Sequence, residues 1–379
     1  MTIETVEGLG KGKGHVILGI QLQKARETVH FRPEEVARRL GVHLDEIVDW
    51  EAEHAKPNLK QLEQLAEIYG REIDYFLKET PTPPTQVHLR STTGRSFKEL
   101  SEESRLVIAR FDELCRTALE LERTLGKIQP VAIERVPRNQ SPIELARTQR
   151  DIFKLGEKPV SKLRDDLMQR GVRIFELDIP PGQFSGFAYW HSDYGPCILI
   201  NAKEVPGRRN FTLAHEYAHL LYRHPPSVCD ITEEGRLGPA GDERVADLFA
   251  VEFLLPAKLI DVDFSKRALL KTPSIQEVGN MAGRWRVSVQ AMLYRLEDLG
   301  LIEQGYANYL LASYQPPHPR APKGPRWERS FKRRLGKEFI SNAFEAYYKG
   351  DISLGKLAHN LGLPLRKALE AAEHYKEID

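Results

Sequence analysis

The sequence predicts an α+β protein, in which a small β-sheet lies among helices and all-helical regions precede and follow it. Apolar residues recur at helical spacing through most of the 379 residues, from 16–78 near the start to 328–377 at the end. Only residues 172–201 change to short runs rich in β-branched and aromatic residues, separated by Gly and Pro. We therefore expect one small antiparallel sheet in a mainly helical chain.

Each predicted element follows from its local pattern. The strands are VRIFELDI, FSGFAYW and CILIN, at residues 172–179, 184–190 and 197–201. A long amphipathic helix is expected over 97–126, with Ser101 as a capped start within it. Further helices are predicted at 141–170 (two helices), 208–223, 241–255 before Pro256, and 275–302 (a helical pair).

Two proline-rich stretches indicate how the chain is divided. TPTPPTQ at 80–86 and PPHPRAPKGPRW at 316–327 interrupt the helical pattern. We predict four regions: a helical domain at 1–80, a linker and long helix at 81–140, a domain that holds the sheet at 141–305, and a basic linker with a C-terminal helical region at 306–379.

Composition excludes several classes of protein. Apolar residues make up 41% of the chain and the net charge is +1, so bulk charge indicates neither nucleic acid nor membrane. Three cysteines without a CxxC pair indicate neither a disulfide framework nor a cysteine zinc site. No apolar run approaches ~18 residues, and the first twenty residues lack a signal-peptide pattern, so we expect a cytoplasmic protein.

The chemistry is carried by one motif, His215-Glu216-Tyr217-Ala218-His219. Positions i and i+4 of a helix share a face, so the two imidazoles can hold one metal ion from the same side. Zinc brings the pKa of a bound water near neutrality and polarises a carbonyl, and Glu216 is placed to take the proton as general base. This pattern predicts peptide hydrolysis.

A catalytic zinc usually has three protein ligands. The HExxHxxGxxH pattern fails, because Tyr222 and Pro225 occupy the required Gly and His positions. The predicted helix 241–255 offers Asp242, Glu243, Asp247 and Glu252 instead, and Glu243 is our third ligand. Ala246 and Ala250 share its face and would let the two helices approach closely. A His/His/Glu set can hold zinc or manganese.

These segments resemble the ImmA/IrrE family of metallopeptidases. The resemblance rests on FTLAHEYAHLL, on ExxADxFAxEFLLP and on CILINAKEVPGRRNFTLAHE, and it covers about residues 145–302. It implies a zincin-like core, with His215 and His219 as ligands, Glu216 as base and Glu243 as third ligand. Asp247 stands where the family often has Asn, and we expect it to support a ligand. Tyr217, Tyr222 and His224 are candidate oxyanion stabilisers by proximity in sequence.

Residues 16–78 resemble the helix-turn-helix module of XRE-type regulators, through PEEVARRLGVHLDEIVDWEAEHAKPNLKQLEQLAEIYG. The resemblance implies that the helix at 43–50 enters the DNA major groove. That helix carries Asp45, Glu46 and Asp49 and has no Arg, Lys, Gln or Asn, although phosphates and base acceptors require donors. DNA binding and docking to a protein therefore both stay open.

The family resemblance implies limited cleavage of a regulatory protein, such as a repressor or antitoxin-like partner, in stress response or mobile-element control. Two alternatives stand beside it. One is a transcription regulator whose metal site is structural or sensory. The other is a toxin–antitoxin or defence component that acts mainly by binding.

Overall fold

The computed structural model describes residues 18–77, 100–225, 228–229, 241–267, 271–314 and 331–376, apart from positions 30, 72 and 332. Contacts divide the chain into two compact units, Met1–Gln86 and Val87–Asp379. Both proline-rich stretches lie outside the described residues. No helix within the described ranges has the length and apolar character needed to cross a membrane.

The first unit is helical, as predicted. Gly41 and Gly70 adopt left-handed φ angles of 73° and 64° and end two of its helices. Arg26 binds both carboxylate oxygens of Glu51 at 2.7 and 2.8 Å, which ties the first helix to the third. The helices are α1 (Leu18–Thr28), α2 (Pro33–Leu40), α3 (Leu44–Glu51), α4 (Leu59–Tyr69) and α5 (Ile73–Leu77).

The second unit holds the other described helices and the sheet. The long helix begins directly after Ser101, where the capping pattern predicted its start. Ser101 Oγ caps the helix by accepting a hydrogen bond from the Ser104 amide at 3.2 Å. The helices are α6 (Glu102–Leu125), α7 (Pro142–Ile152), α8 (Leu163–Met168), α9 (Pro206–Tyr222), α10 (Asp242–Leu254), α11 (Ala257–Lys266), α12 (Ile275–Trp285), α13 (Val289–Asp298), α14 (Tyr306–Ser313), α15 (Lys337–Tyr348), α16 (Leu354–Leu361) and α17 (Leu365–Lys376). The strands are β1 (Arg173–Leu177), β2 (Gly186–His191), β3 (Gly195–Asn201) and β4 (Val228–Cys229).

One strand pairing differs from the antiparallel sheet that we expected. The strand order is β1-β3-β2-β4, and β1 runs parallel to β3, whereas the other pairings are antiparallel. The segment that connects β1 to β2 passes over the end of β3. As a result, β1 pairs with the edge of β3 that faces away from β2. Asn201 fixes this crossing by accepting from the amides of Ile179 and Lys203 at 3.4 and 3.0 Å.

The sheet is buried on both faces. On one face, Ile198 and Ile200 pack in a core with α9, α10, α12 and α13. On the other face, Cys197 and Leu199 pack in a second core with α6 and the C-terminal helices. Burial on both sides explains why the strands read as continuous apolar runs rather than as an alternation.

Candidate metal centre

The motif lies in the interior half of α9. Pro206 occupies the first turn of the helix, where its missing amide costs nothing, and Arg223 ends it with a left-handed φ of 54°. Every residue from 211 to 222 is buried, and His215, Glu216 and His219 are 1%, 0% and 5% exposed. Near its start, Gly207 lets α9 touch the α12–α13 turn, because an added Cβ would lie 2.4 Å from the Val287 carbonyl carbon.

Helix α10 packs closely on α9. Ala214 and Ala218 of α9 and Ala246 and Ala250 of α10 are all fully buried. These small side chains permit the close approach that the sequence predicted. They bring Glu243, at the first turn of α10, over the two histidines of α9.

Three side chains meet at one point. His215 Nε2 lies 3.0 Å from His219 Nε2 and 3.2 Å from Glu243 Oε2, and His219 Nε2 lies 3.4 Å from Glu243 Oε1. Ligands placed ~2.0–2.2 Å from a tetrahedral zinc are separated by about 3.3–3.6 Å. The donor types and spacings therefore fit a divalent metal of the zinc class, and the three residues form a metal-ligand group within the described part of the chain.

Asp247 contacts the first histidine from behind. Its Oδ1 lies 2.8 Å from His215 Nδ1, on the opposite side of the ring from Glu243. Burial alone would lower the pKa of His215, but the hydrogen bonds to Asp247 and Glu243 outweigh it and raise the pKa to about 10. A carboxylate in this position fixes the tautomer and the orientation of a ligating imidazole.

The remaining acids of α10 have other partners. Asp242 lies 3.4 Å from His224, and Glu252 accepts from Arg147 at 3.1 Å and from Arg295 at 2.5 Å. Glu252 is thus an anchor between helices and lies outside the metal-ligand group.

His224 supports the second histidine. The left-handed turn after α9 brings its Nδ1 to 3.0 Å from His219 Nδ1, and its ring stacks on Tyr222. One of the two Nδ1 atoms must carry the proton of this hydrogen bond. Burial lowers the pKa of both rings to about 4. His224 Nε2 lies 3.4 Å from Asp242, so a neutral His224 that carries its proton on Nε2 accepts from the Nδ1–H of His219, and this tautomer leaves His219 Nε2 available to a metal.

Neither tyrosine hydroxyl of the motif region is directed to the three donors. Tyr217 donates to Gln149 at 2.7 Å, and Tyr222 donates to the Gln140 carbonyl at 3.0 Å. Both hydroxyls are therefore engaged in hydrogen bonds away from the metal-ligand group, and neither is part of the site that we propose below.

Sequence reasoning did not identify Gly186, the first residue of β2. A Cβ at this position would lie 2.7 Å from Glu216 Oε1 and 2.5 Å from Thr212 Cγ2, so the strand backbone presses directly on the Glu216 side chain. A glycine inside a strand pattern often marks such a close approach, and this signal could have indicated the position.

Two family models match parts of the chain. Residues 167–297 match the peptidase M78 model, described as an IrrE N-terminal-like domain, and this range holds the strands β1–β4, the metal-ligand group, the helices α9–α12 and nearly all of α13. Residues 22–76 match a helix-turn-helix model. A search of curated proteins found no match for the chain. The two resemblances predicted from the sequence are confirmed, and together they fit a metallopeptidase with a regulator-like helical domain.

Proposed function

We propose that this protein is a zinc-dependent endopeptidase that cleaves a regulatory protein. The observation that carries the proposal is the convergence of His215, His219 and Glu243 from two helices, with Glu216 on the same helix turn as the histidines. In this proposal the first three residues bind the metal and Glu216 is the general base.

The environment of each side chain indicates its role in the proposed reaction. Zinc, when bound, acts as a Lewis acid toward a water and a peptide carbonyl. Glu216, fully buried on α9, accepts a proton and returns it to the leaving amine. Asp247 and His224 orient the two histidines through their Nδ1 atoms. Gly186 holds the strand backbone against Glu216, which limits the positions that its carboxylate can adopt.

The replacement Glu216→Gln tests the proposal. We expect the variant to keep its fold and its zinc but to lose cleavage by at least about 100-fold, in line with a general-base contribution of 10²–10⁴. Glu277→Gln, at an exposed helix cap, is the matched control and should cleave normally. Full activity in Glu216→Gln would exclude this residue as the base and favour a structural or sensory metal.

The substrate can be sought with the same variant. Cells that produce the wild type should contain a truncated regulator, and cells that produce Glu216→Gln should contain it intact and bound to the inactive chain. A repressor or an antitoxin-like protein would fit the helix-turn-helix match. A partner that binds both proteins and is cut by neither would favour a toxin–antitoxin or defence component.

We also propose that the helix-turn-helix unit docks a protein rather than a DNA operator. Asp45, Glu46 and Val48 are exposed on α3, the helix that would face DNA. Acidic side chains repel phosphates, whereas an apolar residue among acids suits a basic protein surface. Selection of DNA by the full-length chain, with salt-sensitive and sequence-specific affinity, would contradict this docking role.

A further inference from the structure

A cavity lies on the other face of the sheet from the metal-ligand group. It is bordered by α6, the end of β1, the residues Phe331, Arg334 and Leu335, and the turn between α16 and α17, and its volume is about 220 Å³. Its walls are mostly apolar, and the residues that form them are Leu114, Leu177, Phe331, Leu335, Leu361 and Leu363.

Arg110 contributes a cation to this apolar cavity. Its guanidinium contacts His359 Nε2 at 2.8 Å and donates to the carbonyls of His359 and Asn360 at 2.5 and 3.3 Å. Burial lowers the pKa of His359 to about 4, and the positive charge of the nearby Arg110 contributes to this shift, so the ring is neutral. The hydrogen-bond partners of Arg110 are thus neutral, and Glu113, one turn along α6, attracts the guanidinium electrostatically but is itself ion-paired with Arg116.

Arg334 lies on the opposite side of the cavity. One terminal nitrogen donates to Asp178, while its Nε is buried and has no hydrogen-bond partner within the described chain. Because Arg334 pairs with Asp178 and its side chain is 35% exposed, the unsatisfied group on this side is the buried Nε–H alone. An anion in the cavity would give this N–H an acceptor and would give Arg110 a charged partner.

We propose that this cavity binds a small organic anion, a carboxylate with an apolar body. The carboxylate lies between Arg110 and Arg334, and the apolar body lies between Leu114, Leu361 and Leu363. The volume holds roughly seven water-sized groups, which matches a carboxylate with a short hydrocarbon chain or a single ring. Such a ligand would bridge α6, β1 and the α16–α17 turn, and would stabilise the C-terminal helices on the sheet.

Calorimetric titration of the full chain with octanoate tests the site. We expect a dissociation constant in the submillimolar to low-millimolar range, as befits a ligand of this size. Octanamide, which has the same shape without the charge, should bind at least tenfold more weakly. Equal affinity for the two compounds, or no octanoate binding up to about 30 mM (roughly ten times a low-millimolar dissociation constant), would overturn the proposal.

Variants assign the binding to the cavity. Arg110→Gln should weaken octanoate binding at least tenfold, whereas Arg123→Gln, an exposed arginine on the same helix, should leave it unchanged. Leu363→Trp fills the apolar end without removing any partner of Arg110, and it should also abolish binding. If Arg110→Gln fails to fold, the result with Leu363→Trp decides whether octanoate binds in this cavity. Unchanged octanoate affinity in Leu363→Trp would refute the site.

Discussion

Asp247 provides the sharpest test of how the histidines are held. Its carboxylate lies 2.8 Å from His215 Nδ1, and both side chains are buried, at 9% and 2% exposure. A hydrogen bond to a charged group contributes about 1.5–3 kcal/mol, which corresponds to roughly 10- to 150-fold in an equilibrium constant. Asp247→Leu should therefore weaken zinc binding by about 10- to 100-fold. Asp247→Asn keeps an acceptor and should cost only about 5- to 10-fold, because a neutral bond contributes less.

Zinc affinity is measured by competition with a chromogenic chelator at fixed pH and ionic strength, and circular dichroism confirms the fold. Asp261→Asn, on the exposed surface of α11, makes the same change in net charge and should bind zinc like the wild type. A folded Asp247→Leu variant that binds zinc within about twofold of the wild type would refute the orienting role of this carboxylate.

Three further predictions follow from packing. Gly207→Ala should lower the free energy of unfolding by about 1–3 kcal/mol in denaturant melts, since its Cβ meets the backbone of the α12–α13 turn. Gly279→Ala is the control: it lies inside α12 with its nearest atom at 3.9 Å, and it should raise the free energy of unfolding by about 0.4–1 kcal/mol. Gly186→Ala should displace Glu216 and slow cleavage of the captured partner about tenfold or more while zinc content stays the same, and unchanged turnover would contradict this contact. Glu252→Gln should cost about 3 kcal/mol in the same melts, because Arg295, which is 12% exposed, loses its buried counter-ion, whereas Arg147 is 54% exposed and contributes little; a loss under about 1 kcal/mol would show that the Glu252–Arg295 pair is dispensable.

The pairing of His215 with His219 could be predicted because its geometry is local. The spacing of His215 and His219 fixes a shared helix face, and the predicted helix 241–255 offered few acids beside small alanines. The contact of Asp247 with His215 follows from the same face, one turn beyond Glu243. The helix resembling a DNA-reading helix, expected at 43–50, is observed at Leu44–Glu51.

The features that sequence reasoning missed depend on contacts between distant segments. His224 contacts His219 only because Arg223 adopts a left-handed φ of 54°. Arginine has no preference for this conformation, so the sequence does not predict the contact. The parallel position of β1 depends on the crossing that Asn201 stabilises. Helical periodicity predicted the C-terminal helices but not their packing on the sheet, which joins segments far apart in the chain.

The most direct measurement is the metal content of purified wild type and of His219→Ala, by elemental mass spectrometry. We predict close to one zinc per chain in the wild type and in Glu216→Gln, and its loss in His219→Ala while the fold is retained. A well-folded wild type that binds no metal after zinc is supplied, or a His219→Ala variant that keeps its full zinc content, would contradict the proposed peptidase site.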